Sequence, residues 1–120
     1  MDDKKLGLVE SKFADIIWAH EPVPSGKLVQ LAKEALEWTK STTYTVLRKL
    51  CDQGLFCNDG GTVTALVTKE QFAAMQCEQF VEETFQGSLP AFLAAFAGHK
   101  GLSAKDIAEI QQMIDDYKEG

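Results

Sequence analysis

No apolar run in this chain approaches the roughly 20 consecutive residues needed to cross a bilayer, and the amino-terminal stretch Met1-Asp-Asp-Lys-Lys5 has no apolar signal core. Both absences point to a cytoplasmic protein with no membrane insertion. Cysteine is scarce: Cys51, Cys57 and Cys77 are odd in number and lack paired spacing, so they read as reduced thiols. His20 and His99 are isolated, each expected to face solvent near a helix end. Without a Cys/His ligand pattern, neither a metal site nor a cofactor is expected. Missing as well are a Gly-rich phosphate loop, a nucleophile beside a base and a carboxylate pair in an apolar setting, which argues against an enzyme.

What is present is ordinary in amount and uneven in distribution. The 120 residues, 45% hydrophobic and 25% charged, suffice for one compact core, or for a small domain with an appendage. The net charge of −6 is not shared equally. Residues 1–69 hold nine Lys/Arg against nine Asp/Glu, whereas residues 70–120 hold three against nine. Acidity therefore belongs to the second part. A neutral first part is weakly basic for a nucleic-acid binder, because non-specific affinity comes mainly from phosphate contacts.

Leu8, Val9, Phe13, Ile16, Ile17 and Ala19 follow helical spacing and predict a first helix over about 8–20. His20-Glu-Pro-Val-Pro-Ser25 ends it, with Ser25 as the expected N-cap of a second helix marked by Leu28, Val29, Leu31, Ala32, Ala35 and Leu36. A short connection through Trp38, capped by Thr39 or Lys40-Ser41, leads to a third helix over about 41–53, with Gly54 placed as a helix-ending glycine. Two β-branched, apolar runs, Leu55–Cys57 and Thr62–Thr68, then bracket Asn58-Asp59-Gly60-Gly61, a strong hairpin signal. Three helices followed by a hairpin is the plan of a winged helix-turn-helix, placed at residues 1–68. Trp18 and Trp38 are read as core residues.

The third helix carries two patterns. Val46, Leu47, Leu50 and Cys51 form an apolar face, while Lys40, Ser41, Thr42, Tyr44, Thr45, Arg48 and Lys49 offer hydroxyls, an aromatic ring and cations, with no carboxylate before Asp52. Thr is a mediocre helix former, so solvent exposure alone does not select such a run. It is the make-up of a helix packed on one side and laid into a DNA major groove on the other. Thr42, Thr45 and Arg48 are assigned to base edges, Arg48 with the reach to take a guanine bidentately; Lys40, Ser41, Tyr44 and Lys49 are assigned to phosphates. For Tyr44 the alternative is packing over the helix end. The hairpin lacks a cation, and Asp59 opposes phosphate, so its expected DNA contact is limited to the backbone N–H of Gly60 or Gly61.

Residues 69–120 read as a separate helical domain. A long helix from Lys69 carries Phe72, Met75 and Phe80 on one stripe; a short one, Ala91–Ala97, carries Phe92, Leu93 and Phe96; Gly98-His-Lys-Gly101 reads as a turn. The last helix, with Ser103 and Asp106 as a capping box, carries Ile107, Ile110 and Ile114 with Met113 and Tyr117 beside them. Three short helices do not bury that much apolar surface without a partner layer. Those nine residues, Phe72 to Ile114, are therefore read as a homodimer interface, which on a palindromic duplex would double the DNA contacts. The alternative is a monomer in which the last helices cap the first domain.

Four stretches in order resemble the penicillinase-repressor (BlaI/MecI/CopY) family of bacterial winged-helix regulators: Asp15-Ile-Ile-Trp18; Trp38-Thr-Lys-Ser-Thr-Thr-Tyr-Thr-Val-Leu-Arg-Lys-Leu50 with Gly54; Gly87-Ser-Leu-Pro-Ala-Phe-Leu-Ala-Ala-Phe96; and Leu102-Ser-Ala-Lys-Asp-Ile-Ala-Glu-Ile-Gln-Gln-Met-Ile114. The resemblance implies a mainly α winged helix-turn-helix with carboxy-terminal dimerisation helices, acting as a repressor on a double-stranded DNA operator. It also implies a membrane metallopeptidase sensor encoded nearby as a partner. In the family that sensor's trigger cleaves an Asn-Phe dipeptide, where this chain has Ala95-Phe96, and the copper-responsive branch ends in a Cys-x-Cys motif, where this chain ends Tyr117-Lys-Glu-Gly120. Against these stands a different class of reading, a winged-helix protein-interaction module without sequence-specific DNA binding, which the negative charge and the lack of a cation in the wing favour.

Overall fold

The computed structural model describes residues 6–120, so the Met1–Lys5 stretch lies outside the described residues. In chain order the elements are α1 (Leu8–His20), β1 (Val23–Pro24), α2 (Ser25–Leu36), α3 (Lys40–Asp52), β2 (Phe56–Asp59), β3 (Thr62–Ala65), α4 (Lys69–Phe85), α5 (Leu89–Lys100) and α6 (Ala104–Glu119). The strands form an antiparallel sheet in the order β1-β3-β2. This is a winged helix followed by carboxy-terminal helices, and the described residues divide into two compact units, 6–77 and 78–120.

In the first unit, Phe13, Ala14 and Ile17 of α1, Leu28 and Ala32 of α2, and Leu47 and Leu50 of α3 meet Val23, Leu55, Phe56 and Val63 from the sheet side. All are buried, and the aromatic contacts organise them: Phe13 against Trp38 at 5.0 Å and Trp18 against Phe56 at 5.1 Å between ring centroids. Trp18 does not need full burial, because its indole N–H donates to the Val67 carbonyl at 3.0 Å and so satisfies the polar edge of an otherwise apolar ring.

Local chemistry explains where the elements stop. The α2–α3 connection is tight because Glu37 adopts a left-handed conformation, φ 59°, and its N–H returns to the Lys33 carbonyl at 3.0 Å. The hairpin turn requires φ of 64° and 93° at Gly60 and Gly61, values that a side chain would make costly. Thr68 and Gln71 form a reciprocal cap that starts α4, with the Gln71 N–H donating to Thr68 Oγ1 at 2.9 Å and the Thr68 N–H to Gln71 Oε1 at 2.8 Å.

Several sequence expectations shift. The proline-flanked segment before α2 contributes a short edge strand, Val23 opposite Val63 and Pro24 opposite Thr62, where proline's missing N–H is tolerated. Ser25 is the first helical residue rather than the N-cap, which is Pro24. The helix after Gly87 is longer than Ala91–Ala97: Ser88 accepts the Ala91 N–H at 3.0 Å and Pro90 sits in the first turn, where its missing N–H costs nothing, while Gly98, His99 and Lys100 stay helical.

In the second unit, Phe80, Phe85, Phe92 and Phe96 form a chain of ring contacts at centroid distances of 5.8 to 6.2 Å. Ser103 and Asp106 complete the expected capping box. Yet no residue from 78 to 120 is buried.

Phe72 departs from its assignment to a subunit interface. It is 5% exposed and belongs to the first unit's core, its ring 5.8 Å from that of Trp18. The compact first unit runs to Cys77 and so includes Phe72. Phe72→Ala should destabilise the first unit by about 3–5 kcal/mol in urea denaturation while leaving self-association, measured by sedimentation on the folded fraction, unchanged.

Candidate nucleic-acid interface

Helix α3 is defined at its amino end by Thr39. Its Oγ1 accepts the Thr42 N–H at 3.1 Å, and its carbonyl accepts the Thr43 hydroxyl at 2.9 Å. Thr43 is fully buried, so the hydroxyl run of the sequence is divided: Thr43 faces the core with Leu47 and Leu50, while Ser41, Thr42 and Thr45 are exposed. Lys40, Arg48 and Lys49 are exposed too, whereas Tyr44 is half-buried. Asp52 closes the exposed strip one turn beyond Arg48.

The first turn of α3 contains no acidic residue and begins with Lys40. A helix amino terminus already carries a positive partial charge, so a lysine there costs stability by itself and favours an anion in front of it. The strip from Lys40 to Arg48 thus carries hydroxyls and two cations and no carboxylate.

Besides Thr42, whose Oγ1 accepts the Thr39 hydroxyl at 3.1 Å, two of the seven assigned side chains have partners within the first unit. Lys49 Nζ lies 2.8 Å from Glu10 Oε2, tying the exposed side of α3 to the first turn of α1. The Tyr44 hydroxyl donates to Ser25 Oγ at 3.0 Å. Both partners escape sequence reasoning because they lie 39 and 19 residues away and belong to different elements, leaving no local spacing to read.

The wing supplies less than expected. Asn58 Oδ1 accepts the Gly61 N–H at 3.1 Å, so that amide is occupied rather than directed at a phosphate, and the Gly61 carbonyl takes the Ser25 N–H at 2.7 Å. A shallow cleft of about 210 Å³ between α3 and the wing is lined by Tyr44, Leu47, Arg48, Cys51 and Asn58. Burial raises the pKa of the Cys51 thiol, with Cys57 nearby adding to the effect, which disfavours its reactive thiolate. No cluster of three or more metal-ligating side chains occurs among the described residues, and no helix among them is long and apolar enough to cross a membrane.

The first unit is therefore a winged helix that turns a cationic, hydroxyl-bearing strip of its third helix outward from a packed core. The chain belongs to the penicillinase repressor family, whose sequence model matches residues 6–116. The penicillinase repressor of Bacillus licheniformis is 21% identical over 113 residues, which cover 91% of this chain and 88% of that protein.

Glu10 is held below the usual carboxylate range, chiefly by its hydrogen bond to Lys49. A folded-state value below the unfolded one means that the pair stabilises the fold above the unfolded-state pKa. That stability is lost as pH falls through the lowered value. The pair lies at the surface, so Glu10→Gln should cost under about 1 kcal/mol at pH 7. The difference from wild type should vanish in urea denaturation once the pH drops below the carboxylate range.

Proposed function

We propose that the protein is a homodimeric transcriptional repressor, acting in the cytoplasm, that lays α3 in the major groove of a palindromic DNA operator. The observation that carries this reading is the outward strip of α3, presented by a winged helix of the penicillinase repressor family. Thr42, Thr45 and Arg48 reach base edges, and Arg48 has the fork of donors that fits guanine. Lys40 and Ser41 hold phosphates at the start of the helix, where its dipole adds to the attraction. Lys49 contributes by sharing its ammonium between Glu10 and the duplex, since an exposed ion pair is weak and an ammonium has three donors.

The second unit supplies the dimer contact through Phe80, Phe92, Leu93, Phe96, Ile107, Ile110 and Ile114, with Met75 at the edge of the first unit. Exposure supports this assignment: Phe80, Phe96, Ile107, Met113 and Ile114 are each more than two-fifths exposed in the single chain. A membrane metallopeptidase sensor encoded nearby is a partner this reading allows, although Ala95-Phe96 stands where the family has its cleaved Asn-Phe dipeptide.

Arg48→Ala should weaken operator binding by about 1–3 kcal/mol in gel-shift titrations at fixed salt, and should relax the preference at one base position. Unchanged affinity and unchanged preference would remove α3 from the groove. A protein that is not retained on generic duplex DNA even at low salt would favour an interaction module instead.

Ile114→Asp places a carboxylate in the proposed contact. Wild type should sediment as a dimer, and the variant near the chain mass of 13.2 kDa. Circular dichroism of the winged helix should be unchanged.

A further inference from the structure

Three parts of the first unit that surround the outward strip of α3 meet at one small residue. The Ser25 N–H donates to the Gly61 carbonyl in the wing turn at 2.7 Å, and the Ser25 hydroxyl accepts from Tyr44 at 3.0 Å. Ser25 is itself the first residue of α2. Asn58 closes the other side of the turn on Gly61 at 3.1 Å. A chain of hydrogen bonds thus runs from the wing through α2 to the middle of α3.

A helix held only by apolar side chains has some freedom to roll, because dispersion contacts are non-directional and several small rotations bury almost the same area. A hydrogen bond is directional and short-ranged. Tyr44 lies on the flank of α3 between Ser41 and Arg48, with its ring packed on the core and its hydroxyl at the far end of that lever. Fixing the hydroxyl fixes the roll of the strip. A phenol has a single proton to donate, and here it is given to Ser25, so this hydroxyl does not at the same time donate to a phosphate.

We infer that Tyr44 and Ser25 are a positioning pair that sets the roll of α3 against the wing and α2, making them determinants of sequence discrimination rather than phosphate contacts. The inference rests on the DNA-binding reading. It differs in kind from the role that residue type and exposure suggest for Tyr44, because a phosphate contact and a positioning contact have different salt signatures. Loss of a phosphate contact lowers the dependence of affinity on salt; loss of a positioning contact lowers specific affinity and leaves that dependence alone.

The test compares wild type with Tyr44→Phe, Ser25→Ala, Ser25→Thr and the double variant Tyr44→Phe/Ser25→Ala. The probes are a duplex enriched by the wild-type protein from a random-sequence pool and a scrambled duplex of equal length, each titrated across a salt series. Tyr44→Phe and Ser25→Ala should each lose about 3- to 10-fold in affinity for the enriched duplex, the size of one net hydrogen bond, with the scrambled duplex and both salt slopes unchanged. Ser25→Thr keeps the acceptor and should bind like wild type, and the double variant should lose no more than either single one. A salt slope lowered by about one unit in Tyr44→Phe, equal losses on both duplexes, or additive losses in the double variant would overturn the inference. Failure of the wild-type protein to enrich any sequence would overturn the DNA-binding reading and this inference together, and it would be seen before any substitution is made.

Discussion

Helix α3 can turn its hydroxyls and cations outward only because its other side is locked into the core, and the lock is set in the first turn. Thr39 stops the helix from starting earlier, and its carbonyl satisfies the buried Thr43 hydroxyl. A buried hydroxyl left without a partner costs about 1–3 kcal/mol, and the bond to the Thr39 carbonyl one turn back removes that cost for Thr43 at zero exposure. Leu47 and Leu50 then follow on the same side. A slip of one residue would rotate the helix by roughly 100°, bringing apolar side chains into water and the strip into the core. Core packing therefore decides which residues are outward, and the outward chemistry depends on it.

The outward side itself is poorly suited to stability. Lysine at the amino end of a helix, no carboxylate in the first turn and the β-branched Thr42 and Thr45 all run against local preference. Departures of this kind gather where a surface serves a partner rather than the fold. The first part of the chain has no net positive charge to compensate. Under the proposed function, binding must then depend less on diffuse attraction to phosphate than on well-placed contacts repeated by a second chain. This makes the orientation of α3 matter more than it would in a strongly basic protein.

The helices, the hairpin and the division of α3 into two faces could be read from periodicity and turn chemistry, because those signals are local. Asp59-Gly60-Gly61 announces a turn needing two positive φ values, and Gly60 and Gly61 supply them. The features that remained hidden are contacts between distant segments. Nothing near Lys49 indicates Glu10, and nothing near Tyr44 indicates Ser25. β1 was obscured because two prolines within Glu21-Pro-Val-Pro24 read as a helix break, although an edge strand that short tolerates them. Phe72 was obscured differently. It shares an unbroken stripe with Met75 and Phe80, and only the three-dimensional position of Trp18 shows that the first core takes Phe72.

That stripe bears on the second unit as well. One helix, α4, gives Phe72 to a finished core and Phe80 to a cluster of rings that remains open to solvent. Edge-to-face contacts at 5.8 to 6.2 Å hold Phe80, Phe85 and Phe92 to one another, but such contacts add only about 0.5–1.5 kcal/mol each beyond the area they bury. On α6, Ile107, Met113, Ile114 and Tyr117 stay largely in water, although full burial of an Ile or Met side chain is worth about 1.5–3 kcal/mol. A unit in which every apolar side chain stays at least partly wet gains little from folding by itself. Under the proposed function, the same side chains supply a favourable term once a second copy covers them.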